Sequence, residues 1–376
     1  MIPRTAHENL TGLIRSNRLI SISGPRNVGK STLVKNVLAE LNASVLFMNA
    51  TVKKDKNRLD SYSIDELKEL VQPFSYLLIE RVELLPELQR LIDWTLDGEL
   101  ACNLILLSAF TPNMDELIRE VIEVNGLNVR VYAPSFHELA RHFSISEMEN
   151  QLEQRLIYGH YPEVIQHPEA AKGYLIKVVD DLIEQYFGSG HRVNKTNQLQ
   201  QLLRVVAFHI GEPLSYHEIG QQIQLDNETV ERYVHLLVEA QILIRLPSFY
   251  TGQRYELKKS NVFYFWDNGI RNGAIQNFNP MNIRNDQEML WKNWLIAERM
   301  KWNAANKKEA SVFFWRSHTR QTIDYMEVLG EEVSAYKIAW DKKRKVKFSP
   351  LFLSYYPAST KHVVNHGTYW SFLTKK

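Results

Sequence analysis

The sequence predicts an α/β fold that opens with a parallel sheet covered by helices on both faces. Three observations predict it. Short apolar runs recur at residues 19–23, 44–49, 76–80, 104–108 and 129–132, and segments of helical length, such as 63–72 and 87–96, separate them. The runs are continuously apolar rather than alternating, as in strands buried on both sides. A glycine-containing segment at 24–32 stands directly between the first run and a helix-patterned stretch that begins near Lys30.

Taken in order, residues 8–16 have helical apolar spacing and lead into the first strand. Residues 144–202 lose strand character and read as a helical lid or connector, punctuated by Gly159, Pro162 and the stretch Gly188, Ser189, Gly190. Residues 214–244 read as two short helices and a longer one at 227–240, and 242–247 with 250–265 read as a β-hairpin. Three helices and a hairpin make a winged helix. A last α/β unit starts near Gln287 with a helix to Trp302, followed by strands at 312–316, 322–329 and 333–340. The expected domains are therefore 1–143, 144–202, 203–275 and 285–376.

Composition narrows the class without naming a partner. The chain has 376 residues, 44% of them hydrophobic, enough for more than one core. Lys and Arg number 45 against 43 Asp and Glu, so attraction to nucleic acid must come from local patches. Cys102 is the only cysteine, which excludes an intrachain disulfide and a thiolate-cluster zinc site. The charged first 20 residues indicate neither signal peptide nor membrane anchor, and a cytoplasmic location is expected.

Gly24, Pro25, Arg26, Asn27, Val28, Gly29, Lys30 and Ser31 fill every defined position of the P-loop pattern. Glycines let backbone N–H groups turn onto phosphate oxygens, and the following helix adds its dipole and unsatisfied amides. The chemistry predicted is binding of ATP or ADP with Mg2+. Lys30 neutralises the terminal phosphates, Ser31 offers its hydroxyl to the metal, and Thr32 lies near the α-phosphate.

Such a site also needs a carboxylate at the end of a neighbouring strand for the metal shell, and a base for the attacking water. Glu80 ends the run 76–80 and takes the first role. The next residue, commonly a catalytic glutamate, is Arg81; Glu83 is the nearest other carboxylate, with a solvated loop residue as the competing reading. Binding and turnover thus separate. Ser108 is the candidate γ-phosphate sensor, with Thr111 as competitor and a plain strand-end cap as the alternative; Arg119 and Arg130 are arginine-finger candidates.

Further motifs follow. Tyr132, Ala133, Pro134, Ser135, Phe136, His137 and Glu138 form one, and Tyr158, Gly159, His160, Tyr161, Pro162 and Glu163 a second. Thr229, Val230 and Tyr233 precede Phe263, Tyr264, Phe265, Asp267 and Gly269; Trp315, Arg316, Ile323, Asp324 and Tyr325 come last. With the P-loop, these residues make the chain resemble a large prokaryotic family of AAA-type ATPases whose carboxy-terminal domain, of unknown function, is similar to restriction endonucleases. The resemblance implies a P-loop ATPase domain, a winged helix and a C-terminal α/β endonuclease-like domain. It also marks departures: Glu80-Arg81 replaces an Asp-Glu pair, Gly188-Ser189-Gly190 an Arg-Asp pair, Thr322 a glutamate, and Ala335 the glutamate of a Glu-x-Lys triplet ending at Lys337.

A nuclease of that kind needs converging carboxylates, Mg2+ and a lysine. Asp324 and Lys337 stand where the resemblance puts two of these groups, and Ala335 removes a main ligand. Glu298 on the preceding helix is a further candidate, whereas odd spacing sends Glu327 to the face opposite Asp324. The site reads as degenerate, and the domain as an interaction surface for a protein partner or a second copy. For the winged helix, Glu228 and Glu231 oppose insertion of helix 227–240 into DNA. Arg245, Arg254, Lys258 and Lys259 of the hairpin and the run Lys342, Lys343, Arg344, Lys345 are candidates for DNA or RNA phosphate contact, or solvated turns. Three functions stand open: a nucleotide-dependent switch or slow ATPase, a nucleic-acid-processing ATPase, and a non-catalytic scaffold.

Overall fold

The computed structural model describes residues 2–109, 127–187, 193–252, 260–341, 344 and 346–374. Two compact units divide the chain, Met1–Ala133 with Glu239–Gln241, and Pro134–Val238 with Ile242–Lys376.

The described elements of the first unit run α1 (Ala6–Ser16), β1 (Leu19–Ser23), α2 (Lys30–Glu40), β2 (Val45–Asn49), α3 (Lys53–Ser61), α4 (Ile64–Val71), β3 (Tyr76–Glu80), α5 (Leu88–Leu96), β4 (Asn103–Ser108) and β5 (Asn128–Arg130). The five strands are all parallel and lie in the order β2-β3-β4-β1-β5. Alternate strand residues explain the continuous apolar runs. Leu77, Ile79, Leu104 and Leu106 pack with Leu67 of α4 and with Leu88, Leu91 and Ile92 of α5. Ile20, Ile22, Leu78, Ile105 and Leu107 alternate with them and are buried too. Each such side chain contributes about 1.5–3 kcal/mol relative to exposure. Helix α3, not anticipated from its polar sequence, buries only Leu59.

Order within the sheet places β4 between β1 and β3, so the carboxyl ends of three strands lie side by side. Ser23 pairs in register with Ser108, and Glu80 with Leu107. Loops leaving this edge carry the P-loop and the segment after Glu80.

The second unit begins with α6 (Phe136–Ala140), α7 (Ile145–Asn150), α8 (Leu152–Tyr158), α9 (Pro162–Gln166), α10 (Ala171–Phe187) and α11 (Val193–Phe208). Then come β6 (Pro213–Leu214), α12 (Tyr216–Ile223), α13 (Asn227–Glu239), β7 (Leu243–Pro247) and β8 (Asn261–Phe265). Reciprocal Ser–Glu capping boxes start α4, α6, α7 and α12, at Ser63, Ser135, Ser144 and Ser215. One short helix, not two, precedes α13, because residues 213–214 form a strand on β8 in a sheet ordered β6-β8-β7. The additional helix is α11, which begins at Val193.

Helices α14 (Asn268–Ala274) and α15 (Gln287–Ala305) precede β9 (Ser311–Arg316), β10 (Thr322–Leu329), β11 (Glu332–Ile338), α16 (Pro350–Tyr355), β12 (Thr360–Val364) and α17 (Tyr369–Thr374). Their sheet is ordered β12-β11-β10-β9, antiparallel except for the parallel pair β11–β12. Helix α16 and the short strand β12 were not read from sequence. Among the described residues, no helix is long and apolar enough to cross a membrane.

Two glycine-bearing motifs meet at α14. Asp267 caps that helix through the Gly269 and Ile270 amides and also accepts from the His160 amide at 2.7 Å. A side chain at Gly159 (φ +70°) would stand 2.0 Å from the Asp267 carboxylate, and one at Gly269 would stand 2.2 Å from the Tyr158 carbonyl. The motif pair is a packing joint.

Candidate nucleotide site

The P-loop is shaped by three residues of positive φ: Gly24 at +151°, Asn27 at +63° and Gly29 at +97°, the last being the N-cap of α2. At Gly24 a Cβ would lie 2.0 Å from the Val131 carbonyl oxygen, so the loop can pass the exit of β5 only as glycine. Pro25 and Val28 are buried, Arg26, Gly29 and Ser31 are half-buried, and Asn27 and Thr32 are exposed. Arg4 clamps the loop from outside, with Nη1 on the Val28 carbonyl at 2.9 Å and Nη2 on the Tyr132 carbonyl at 2.5 Å. Sequence reasoning missed Arg4, since nothing local marks a contact across 24 and 128 residues.

Lys30 is 9% exposed, and its Nζ donates to the carbonyls of Gly24 at 2.6 Å and Pro25 at 2.7 Å. Burial lowers its pKa to about 8; Glu83 opposes this, Arg81 and Arg26 add to it, and Glu80 opposes it. Five charged residues from the P-loop and the β3 exit therefore share one electrostatic neighbourhood.

Glu80 accepts from Asn49 Nδ2 at 3.2 Å through one oxygen. Among the described residues its Oε1 has no hydrogen-bond partner, and it forms an ion pair with Lys35 Nζ at 3.8 Å. The Glu83 side chain is only 1% exposed: it takes the Arg81 Nε–H at 2.7 Å and the Ala109 amide at 3.4 Å. Ser108 Oγ, in a residue 1% exposed, has no hydrogen-bond partner among the described residues. Among the described residues, Glu80 Oε1 and Ser108 Oγ thus lack a hydrogen bond at the carboxyl ends of β3 and β4, where an unpaired polar atom costs about 1–3 kcal/mol and only Glu80 has a partial offset, from the Lys35 ammonium. Thr111 and Arg119 lie outside the described residues. Arg130 is exposed at the end of β5.

Motif, parallel sheet and strand order together point to one class of domain. Residues 16–140 match the family model described as an AAA domain. The P-loop and five-stranded parallel sheet of this unit are similar to those of AAA-type P-loop ATPases. Residues 149–281 match a family described as a domain of unknown function (DUF8612). An uncharacterized protein of Haemophilus influenzae is similar, 21% identical over 281 residues and 68% of each chain. Solved structures similar to the chain include the Walker-type ATPase of Pyrococcus abyssi, at 13% identity and TM-score 0.48, covering 73% of this chain and 96% of that one. The RuvB Holliday junction branch migration motor of Thermotoga maritima is similar at 14% identity and TM-score 0.33, covering 65% and 90%.

The second set of expected site residues lies beyond the residues that match the AAA domain model. Asp324 Oδ2 accepts from the Ile338 amide at 2.8 Å, and its Oδ1 pairs with Lys292 at 3.0 Å. Lys292 also pairs with Glu288 at 3.1 Å, so one ammonium bridges two carboxylates. Lys337 donates to the Lys347 carbonyl at 3.2 Å; burial lowers its pKa, and Asp324 opposes this. Among the described residues, no group of three or more His, Cys, Asp or Glu stands close enough to hold a metal.

Two expectations for this region are corrected. Glu298 is not available to Asp324: it is buried against Lys301 at 2.7 Å, His160 at 3.3 Å and the Phe136 amide. Glu327 does not point away from Asp324's helix. A register irregularity between Ile323 and Met326 inserts an extra residue in β10, so strict alternation fails. Both carboxylates meet α15, Asp324 at Lys292 and Glu327 at Arg299, 2.8 Å away. Glu327 is further engaged by Asn303 and Lys308.

Proposed function

We propose that the chain is a nucleotide-dependent switch that binds ATP with Mg2+ at the P-loop and hydrolyses it slowly. The observation that carries this is the arrangement at the sheet edge: a glycine-dependent P-loop holding Lys30, with Glu80 and Ser108 at the ends of β3 and β4, each with an oxygen that accepts no hydrogen bond among the described residues. These groups suit a metal-bound phosphate. Residues 24–32 cradle it, Lys30 and Ser31 meet the terminal phosphates and Mg2+, Glu80 supports the metal shell, and Ser108 senses the γ-phosphate. The metal, when bound, neutralises charge on the transferring phosphoryl group. Slow turnover is supported by Arg81, a cation next in sequence to Glu80, and by Glu83, the remaining candidate base, being held in an ion pair.

Isothermal titration with ATP and Mg2+ tests binding, and steady-state hydrolysis tests turnover. Heat at submillimolar nucleotide that Lys30→Ala abolishes is expected; no heat at millimolar nucleotide rejects the reading. Turnover that is weak and lost in Glu80→Gln is expected.

A nucleic-acid-processing role is the second reading, and specific elements favour it. The order α11, β6, α12, α13, β7, β8 supports a winged helix, and α15 with the mixed four-stranded sheet supports an endonuclease-like fold. Here Lys292 stands between Asp324 and Glu288, which favours a non-cleaving surface for phosphate or a protein partner. The candidate phosphate contacts Arg254, Lys258, Lys259, Lys342, Lys343 and Lys345 lie outside the described residues. Salt-sensitive DNA retardation with no strand cleavage in Mg2+ is the expected result, and no retardation at low salt sinks this second reading. We assign the segments 1–143, 144–202, 203–275 and 285–376 as the corresponding domains, and the location as cytoplasmic.

A further inference from the structure

Arg81 occupies a position that the structure holds with care. Its backbone lies in the left-handed region, at φ +64°, a conformation that costs a non-glycine residue about 1 kcal/mol or more. Its amide donates to the Leu107 carbonyl at 2.9 Å, which pins the residue to the carboxyl edge between β3 and β4. Only β4 separates β3 from β1, so the backbone at Arg81 stands roughly two strand spacings, about 10 Å, from Gly24 at the P-loop. A long side chain bridges most of that interval.

The electrostatics of this corner are unusual in a specific way. Arg81 adds a cation to a region that already holds Lys30 and Arg26, and both arginines act on Lys30. Such a group needs a counter-ion while no anion is bound. Glu83 provides it, 2.7 Å from Nε and almost wholly buried, with the Ala109 amide holding its other oxygen. The arginine is 18% exposed at its side chain, so it retains access to the edge.

We propose that Arg81 is a γ-phosphate ligand held in reserve by Glu83, and that it makes the site distinguish a nucleoside triphosphate from a diphosphate. A phosphate carries more charge than a carboxylate and accepts an arginine's forked N–H pair, so a γ-phosphate placed beyond Lys30 draws the guanidinium away from Glu83. A diphosphate ends at the group that Lys30 meets and leaves the Arg81–Glu83 pair intact. The exchange of partners releases Glu83 and the turn from Arg81 to Leu85, which converts the identity of the nucleotide into a change of structure at the exit of β3. Arg81 stands where a catalytic glutamate is common and offers the attacking water no base, which is consistent with a switch that retains ATP.

This inference rests on nucleotide binding at the P-loop, and the test separates the two. Dissociation constants for ADP and for the slowly hydrolysed ATPγS, both with Mg2+, are measured by calorimetry on the full chain as wild type, Arg81→Gln and Glu83→Gln. For Arg81→Gln, ATPγS affinity is expected to fall about tenfold while ADP affinity stays within about twofold, since a hydrogen bond to a charged group is lost only with the triphosphate. For Glu83→Gln, removal of the competing carboxylate is expected to raise the preference for ATPγS over ADP about threefold or more. An unchanged preference in both variants, or a loss that is equal for the two nucleotides, overturns the proposal. ADP that fails to bind the wild-type chain overturns instead the P-loop reading beneath it.

Discussion

Raising the pH from 7 to 9.5 probes Lys30 directly, because its charge is the one that burial has made labile. Burial lowers its pKa from 10.5 to about 8, and nucleotide anions favour the ammonium form. At pH 7 the nucleotide-free protein already carries the proton, and binding needs none. At pH 9.5 the free protein has lost it, and binding must restore it. That restoration costs about 2 kcal/mol, at roughly 1.4 kcal/mol for each pH unit above the folded pKa, which weakens ATP binding about 30-fold.

Calorimetry in two buffers of different ionisation enthalpy reads both consequences: the drop in affinity, and uptake of close to one proton at pH 9.5 against none at pH 7. Lys30→Arg, whose guanidinium keeps its charge, is the control with a flat profile. A wild-type affinity that does not change between pH 7 and 9.5, or an equal fall in Lys30→Arg, refutes the reasoning. The same shift bears on folding with a definite sign. The unfolded chain binds the proton up to pH 10.5 and the folded chain only to about 8, so the Lys30 contribution destabilises below pH 8, and that penalty fades as pH rises through this window.

Other substitutions have equally definite outcomes. Gly24→Ala places a Cβ 2.0 Å from the Val131 carbonyl, so it should lower the urea midpoint by the equivalent of about 2 kcal/mol or more; Gly330→Ala, whose Cβ meets nothing within 4 Å, should cost only about 1 kcal/mol of backbone strain. Glu298→Ala strands the buried Lys301 ammonium and the Phe136 amide, and unfolding of the second unit should become easier by about 3–5 kcal/mol; a change under 1 kcal/mol would show the pair to be inert. Burial opposes ionisation of Glu298 and Glu327, yet Lys301 and His160, and Arg299, Asn303 and Lys308, hold both at about 2. Their contribution is therefore whole above pH 4.5 and is lost as pH falls towards 2; acid titration followed by tryptophan fluorescence should show this limb, and Glu327→Gln should flatten it.

The parallel sheet was legible because its central strands β3 and β4 are short runs apolar at consecutive positions, a pattern that requires cover on both faces. The P-loop was legible because its chemistry is local: glycines for the turn, Lys30 and Ser31 at the start of a helix. The helix count before α13 was not, because Pro213 and Leu214 gain strand character only by pairing with Val262 and Asn261. Glu298 and Glu327 were misplaced for related reasons. A bulge changes which way a strand residue points, and an ion pair with Lys301 depends on how a helix is buried.

By itself, then, the sequence determined the fold class of the first unit, the phosphate-binding loop and the departure at Glu80 and Arg81, since all of these are written within a few neighbouring residues. Only the tertiary structure decided that Arg4 clamps the loop from the chain's start, that Lys30 is buried enough to lose charge near pH 8, and that Glu83 is Arg81's partner rather than a solvated residue. The physical reason is that burial and pairing belong to the space between distant segments. Parallel strand order sets that space here, by bringing the ends of β1, β4 and β3 together.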